Sequence, residues 1–359
     1  MNIVYTVFSF RVGGIEKLLI DIVNNLSEQD NIYLYIINDE YDKNLISEIN
    51  GNVKIIYANR KVGGSKLGYI FDFCKFVKEN KIKVIHCQCI NTVKFSFLAK
   101  VINPSIKLIH TVHDTKIYSR FNKFNILIDK ICVNKIIAIS KSVKDEIISK
   151  GIDEDKVKII YNAIDLSKFK LCKNKVMIKD EIIIGNVARL VPEKKGQDIL
   201  IKAMGILKDK YPNMKCLFAG DPPSKNKENI IKLKQLAVNE GVEKRVEFLG
   251  NVNDISCFLS KIDIFVLPSV YEGFGISLIE AMATGVPCIA ANIDGPKEII
   301  KDNEYGLLFE SKNFKDLAMK IDNMIYSYSY NNQNRIKSYI EENYEIKSMI
   351  KKLYKVYCN

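Results

Sequence analysis

The chain has 359 residues, with 54 Lys+Arg against 42 Asp+Glu and a formal net charge of +12. Hydrophobic residues at 47% and charged residues at 27% exclude a globally disordered chain. No apolar run approaches the roughly 18 residues that cross a bilayer, which argues against a membrane-spanning protein. The length suggests about two domains. Asn2–Phe8 reads as a first strand, not a signal peptide, because no basic segment precedes it. The nine cysteines have no paired spacing, as expected of reduced thiols in a cytoplasmic protein. His86, His110 and His113 lack metal-ligand spacing with them, so no metal is expected. No nucleic-acid module is legible, and the lysines are spread along the chain, so nucleic acid is not an expected partner.

From the amino terminus, β-rich runs alternate with amphipathic segments. Strands are predicted at Ile3–Phe8, Ile32–Ile37, Val53–Tyr57, Val84–Cys87, Ile106–Thr111, Lys135–Ile139 and Val157–Tyr161. Helical patterns lie between them at Ile15–Leu26, Leu67–Lys78, Asn91–Val101 and Ser142–Lys150. This alternation predicts a parallel, doubly wound α/β sheet. Leu166–Asp180 is Lys/Asn-rich and aperiodic, and is the linker candidate. A second series follows, with strands at Glu181–Val187, Lys215–Ala219, Arg245–Leu249, Ile264–Leu267, Pro287–Ala290 and Gly306–Phe309. Its helices are Gln197–Lys210, Lys227–Asn239, Ile276–Thr284 and Phe314–Tyr326, and Ile336–Tyr357 reads as one final helix. The expected domains are therefore 1–165 together with the helix 336–359, and 166–335. In two open α/β sheets, the cleft facing the carboxyl ends of the strands is the expected ligand site.

Three stretches carry chemistry. Val270–Pro287 reads V-Y-E-G-F-G-I-S-L-I-E-A-M-A-T-G-V-P after a strand. Its glycines allow close backbone approach, and a helix starting near Gly275 aims free amides back into the loop, a ready anion site. Glu272 and Glu280 are eight residues apart, which suits two different hydroxyl-bearing parts of one ligand; two solvated glutamates fit the spacing equally well. In Arg189–Asp198, R-L-V-P-E-K-K-G-Q-D, Pro192 and Gly196 shape a turn before a helix. Arg189 and Lys195 there fit a diphosphate, as a fork and a point charge. At the amino terminus, Gly13-Gly14 joins the first strand to a long helix, which is a weak signal alone and is not the dinucleotide fingerprint.

In this order the three stretches resemble the family-4 retaining glycosyltransferases of the GT-B fold. Glu272–Pro287 is similar to that family's Glu-x7-Glu motif, Arg189–Asp198 to its phosphate-binding motif, and Gly13–Glu16 to its amino-terminal loop. Ile109–Asp114, Ala138–Ser140 and Ile160–Asp165 match further segments, so the resemblance covers essentially the whole chain. It implies two Rossmann-like α/β domains, the first binding the acceptor and the second the nucleotide sugar, with the last helix crossing back to the first. It implies that Glu272 contacts donor-sugar hydroxyls, aided by the backbone of Gly273, Phe274 and Gly275. Ser277 and Leu278 would present backbone to the diphosphate, and Glu280 would bond the ribose. Arg189 and Lys195 would bind the diphosphate, and Val252 would lie near the base. Gly14 would approach the donor from the first domain, and His113 would contact the transferred sugar. Two departures stand out: Ala163 replaces a common Gly, and Lys194 beside Lys195 leaves open which one reaches the phosphate.

The expected reaction is hexosyl transfer from a nucleotide diphosphate sugar, UDP-sugar favoured, to an acceptor hydroxyl with retention. It is expected to need no cofactor or metal, with Arg189, Lys195 and the helix start at Gly275 supplying the positive field. No enzyme nucleophile is expected; the donor's own phosphate oxygen would take the acceptor proton. The alternatives are a GT-B-type sugar-nucleotide epimerase and a non-catalytic nucleotide- or glycan-binding scaffold. His86 and His110 are expected in the core, and Asp153-Glu154-Asp155 reads as a solvated turn and not a metal site. Arg60–Lys83 and Lys116–Lys144 combine excess basic charge with interleaved aromatics. They suggest a peripheral contact with an anionic inner membrane face and a lipid-linked acceptor in surface polysaccharide synthesis.

Overall fold

A computed structural model of the chain describes residues 1–65, 67–170, 181–301, 305–327 and 333–358. The chain divides into two compact units, Met1–Ala163 with Ile346–Asn359, and Ile164–Glu345. The first holds seven strands: β1 (Asn2–Val7), β2 (Asn31–Asn38), β3 (Lys54–Arg60), β4 (Val84–Cys87), β5 (Lys107–Val112), β6 (Lys135–Ala138) and β7 (Val157–Ile159). Their order is β3-β2-β1-β4-β5-β6-β7, and neighbours pair in parallel. Strands covered on both faces need apolar residues at successive positions, and Ile32–Ile37 of β2 is buried throughout.

The second unit repeats the plan with β8 (Ile183–Val187), β9 (Lys215–Ala219), β10 (Val246–Gly250), β11 (Ile264–Leu267), β12 (Cys288–Ala291) and β13 (Leu307–Phe309). Their order is β10-β9-β8-β11-β12-β13, again parallel. Each sheet is built outward in both directions from its first strand. The strand order therefore reverses beside β1 in one sheet and beside β8 in the other. Loops at the carboxyl ends diverge at such a point and leave a crevice.

Four expectations need correction. The final segment is two helices, Gln333–Tyr344 in the second unit and Ile346–Cys358 in the first, so the return to the first unit begins at Ile346 and not at Ile336. No Gly or Pro marks this break. Instead the Ile164 N–H donates to the Tyr344 carbonyl and Ile164 bridges Glu345, so a distant segment takes backbone that would continue the helix. Pro192–Lys195 is one helical turn and not an open turn, with Pro at its start and Gly196 left-handed at φ 68° after it. The helix Lys123–Cys132 has no counterpart in the periodic reading. Of the interleaved aromatics, Phe73 and Tyr118 are buried, and Phe76 packs against Tyr33 and Tyr35; these are core contacts. Phe71 and Phe124 are exposed. Lys66 and residues 171–180 of the linker candidate lie outside the described residues.

Candidate functional site: a charged cluster at the sheet crevice of the second unit

β8 and β11 are neighbours at the reversal point of the second sheet, and the two most informative sequence stretches follow them directly. The Arg189–Asp198 stretch leaves β8. Its loop is tied down by the Ala188 N–H to Ala219 O and by the Leu190 N–H to Asp221 O. Gln197, fully buried, donates from Nε2 to the Arg189 carbonyl at 3.0 Å. Asn186, also fully buried, donates to the Val266 carbonyl at 2.9 Å and so fastens β8 to β11 beneath the site.

The loop after β11 docks on the short helix Pro192–Lys195. The Lys194 carbonyl accepts from the N–H groups of Val270 and Tyr271. This fixes Glu272 beside the next residue. Lys195 Nζ donates to Glu272 Oε2 at 2.6 Å, with side chains 18% and 16% exposed. Ser269 Oγ donates to the same oxygen at 3.2 Å. Glu272 is thus held by a cation and a hydroxyl, which overrules the reading of a loosely solvated side chain. The Lys194 carbonyl holds the second loop, and the Lys195 ammonium meets Glu272.

Gly196 permits this geometry. A Cβ there would lie 1.9 Å from the Pro268 carbonyl oxygen, and φ is 68°. Gly295 plays the matching part under the second loop, because a Cβ there would lie 2.4 Å from the Phe274 Cα and 2.7 Å from the Gly273 oxygen. Phe274 is buried and packs edge-on against Tyr344. Gly275, at φ 108°, turns the chain into the helix Ile276–Ala283. The Leu278 N–H already donates to Gly275 O, so the amides of Ile276 and Ser277 form the open start of that helix. Leu278 itself is buried, and Glu280 is half-buried on the same helix. Arg189 is exposed, and Val252 is half-buried in the loop after β10. The Asn251 N–H donates to Asp221, joining that loop to the one after β9. Ten of the twelve predicted residues therefore sit along the carboxyl edge of one sheet, and Lys195 and Glu272 are in direct contact.

Gly14 and His113 belong to the first unit. Gly14 is exposed and opens the helix Gly14–Leu26 after β1. His113 follows β5. Its Nε2 is 2.9 Å from Gln88 Oε1, and its Nδ1 is buried without a hydrogen-bond partner. Burial, then the nearby His110, lower its pKa to about 4, so the ring is neutral near pH 7. With Nε2–H donating to Gln88, Nδ1 is left as a buried acceptor. His110 and His86 are buried as expected: His110 Nδ1 meets Asp129 at 3.1 Å, and His86 lies between Thr111 and Tyr357. The Asp153 carboxylate caps its own turn by accepting from the Asp155 N–H, and Glu154 pairs with Lys144.

Ser269, Gln197, Asn186 and Gln88 were not singled out by the sequence. Ser269 stands three residues before Glu272 and Gln197 eight after Arg189; both bonds are local to their own loops, and only the Asn186 bond to Val266 joins the two strands.

Known proteins match along most of the chain. The family model described as glycosyl transferases group 1 matches residues 168–343, and that described as glycosyltransferase family 4 matches residues 12–168. An uncharacterized glycosyltransferase of Methanocaldococcus jannaschii is 32% identical over 62% of this chain and 59% of its own length. The capsular polysaccharide biosynthesis glycosyltransferase CapM of Staphylococcus aureus is 28% identical over 84% of this chain and 77% of its own. A UDP-Gal:alpha-D-GlcNAc-diphosphoundecaprenol alpha-1,3-galactosyltransferase of Escherichia coli is 28% identical over 66% of this chain and 64% of its own. The chain thus spans less than two thirds of the archaeal and Escherichia coli relatives. The crystal structure of Anabaena HepE in complex with UDP-glucose superimposes with a TM-score of 0.86 at 22% identity, covering 99% of both chains. That similarity carries the fold, which is GT-B. With the two family models together spanning residues 12–343, the chain belongs to the group 1, family 4 glycosyltransferases.

Proposed function

We propose that the chain transfers a hexose from a UDP-sugar to an acceptor hydroxyl with retention of anomeric configuration. The observation that carries this is the Lys195–Glu272 contact at the sheet crevice, beside the open helix start at Gly275. A departing nucleoside diphosphate needs positive charge, and Arg189, Lys195 and the amides of Ile276 and Ser277 supply it. Glu272, held by Lys195 and Ser269, is set to accept from sugar hydroxyls, and Glu280 from the ribose. Val252 lies toward the base. From the first unit, Gly14 approaches the donor, and neutral His113 contacts the transferred sugar. The donor's phosphate oxygen takes the acceptor proton, and no metal or cofactor takes part. CapM and the galactosyltransferase acting on a diphosphoundecaprenol-linked sugar support a lipid-linked acceptor in surface polysaccharide synthesis. With the basic first half of the chain, they also support work at an anionic membrane face.

The test is a donor screen that follows released nucleoside diphosphate, with and without lipid-linked acceptor fractions, with and without EDTA. The expected result is acceptor-dependent release of UDP that survives chelation and a product of retained configuration. An isomerised donor with no acceptor-dependent product would overturn transfer in favour of epimerisation. Activity lost to EDTA and restored by Mg²⁺ would overturn the protein-supplied field.

A further inference from the structure

Residues 80–144 contain twelve Lys and Arg but only two acids, Asp114 and Asp129. Neither acid offsets the surface charge of the helix Lys123–Cys132. Asp129 is fully buried and engaged by His110 and the Tyr118 hydroxyl. Asp114 precedes the helix and accepts from the Thr115 N–H. The outward face of the helix is therefore purely cationic where it is charged. Where it is not charged, it is apolar. Phe124, Leu127 and Ile131 are 60%, 49% and 68% exposed. At 3.6 residues per turn these three and Lys123 and Lys130 fall within one arc of about 120°. Ile128 and Asp129 take the opposite, buried side.

A neighbouring helix also exposes apolar residues at its end. Ile90–Ile102 packs against Lys123–Cys132, and Lys100 and Cys132 at the two carboxyl-terminal ends lie within electrostatic reach of each other. Val101 and Ile102 there are exposed as well. Three bulky apolar side chains exposed on one face of a helix and flanked by lysines are unusual on a solvated face. A helix with a bulky apolar stripe and flanking cations suits the headgroup boundary of a bilayer, where apolar side chains enter the acyl region and cations meet anionic headgroups. No helix among the described residues is long and apolar enough to cross a membrane, so the contact is peripheral.

We propose that the outward face of Lys123–Cys132, with Phe124, Leu127 and Ile131 as the inserting side chains, is the surface by which this chain docks on an anionic bilayer. This rests on the membrane-face reading above and names the face that does it. The helix follows β5 and His113, so its amino-terminal end, with Phe124, lies toward the carboxyl edge of the first sheet. A docked helix would keep that edge near the headgroups, where a lipid-linked acceptor emerges.

The test uses the full-length protein and vesicles of phosphatidylcholine with increasing phosphatidylglycerol, sedimented at low and high salt. The wild type is expected to bind in proportion to anionic lipid and to release partly in salt. Phe124→Ser/Leu127→Ser/Ile131→Ser should bind at least about tenfold more weakly, with an unchanged melting temperature and unchanged turnover on a water-soluble acceptor. Lys123→Gln/Lys130→Gln should reduce the salt-sensitive part. Ile231→Ser/Val238→Ser, exposed apolar residues of the second unit, should bind as the wild type does. A wild type that ignores anionic vesicles at low salt overturns both this proposal and the membrane-face reading. A wild type that binds while the triple variant binds equally well overturns this face alone. Concentration-dependent dimerisation of the wild type without vesicle binding, abolished in the triple variant, would make a second copy the occupant and overturn the proposal.

Discussion

Lys195 and Glu272 are each other's counter-charge, and in the proposed function an arriving diphosphate shares that ammonium. Arg189 is exposed, so Arg189→Ala should leave the melting temperature unchanged while turnover falls by roughly 10²–10³, the cost of losing one preorganised donor. Near-normal turnover in the folded variant would remove Arg189 from the site. Glu272→Gln keeps an oxygen for Ser269 and Lys195 but loses the charge. It should abolish most turnover without weakening UDP binding, because the ammonium is released toward the diphosphate. Glu280→Ala should instead weaken UDP binding, and calorimetry with free UDP separates the two; equal losses would refute this division. The histidines set a pH dependence. Burial lowers the His86 pKa to about 3 and that of His113 to about 4, against an ordinary value near 6.5. Below that value the unfolded chain takes up protons that the folded chain refuses. Stability is therefore highest above about pH 6.5 and falls as the pH is lowered toward 4, by up to about 1.4 kcal/mol per pH unit for a fully buried group. Melting temperatures between pH 7 and 5 should show the fall, and His86→Gln, which keeps a donor and an acceptor but cannot titrate, should flatten it. An equal slope in that variant would shift the effect to other groups.

At the level of the element, the short helix Pro192–Lys195 and its Gly196 set where Lys195 ends. Gly196→Ala would put a Cβ 1.9 Å from the Pro268 oxygen in a left-handed conformation that alone costs about 1–2 kcal/mol. The expected outcome is a lower melting temperature together with a turnover loss exceeding that of Lys195→Ala, since the loop carrying Glu272 shifts too. A fully active, fully stable variant would show that the turn tolerates the change. The same element illustrates what a sequence carries. Pro at a helix start and Gly at its end are local signals, and the strands of both sheets were legible because buried parallel strands need unbroken apolar runs. Lys123–Cys132 was illegible for the converse reason: Phe124, Leu127 and Ile131 make its outer face apolar, and the periodic rule assumes a polar one. The break at Glu345 had no signal either, because its cause is the Ile164 backbone some 180 residues away. Glu272 and Lys195 were readable from motif and charge, but their contact, and the Asn186 bond to Val266 beneath it, depend on the β8–β11 pairing that only the folded sheet creates, while the Ser269 and Gln197 bonds are local to their own loops.

Over the whole molecule, the first unit is discontinuous and the second is not. The helix Ile346–Cys358 packs on Gly14–Leu26 and buries Ile346, Met349, Ile350, Leu353, Val356 and Tyr357 at helical spacing. Its end is fastened to the sheet. The Tyr357 hydroxyl meets Tyr5 and His86, Lys107 Nζ donates to the Tyr357 carbonyl at 2.9 Å, and the Tyr354 hydroxyl donates to Asp30. Burying a large apolar side chain contributes about 1.5–3 kcal/mol, and a domain is stable by only about 5–15 kcal/mol. Six such side chains therefore outweigh the margin, even after allowance for a compact unfolded state. The amino-terminal unit is made first on the ribosome, yet it cannot complete its core until the last residues emerge, whereas 164–345 is complete earlier. A chain ending at Glu345 should accordingly lose protease resistance across residues 1–163 while 164–345 stays resistant, and UDP binding in calorimetry should survive. Tyr357→Phe offers a finer probe. It strands a buried His86 nitrogen at a cost of about 1–3 kcal/mol and should lower the first unit's melting temperature alone. Uniform protease resistance in the truncated chain would show that the first unit closes its core without the returning helix.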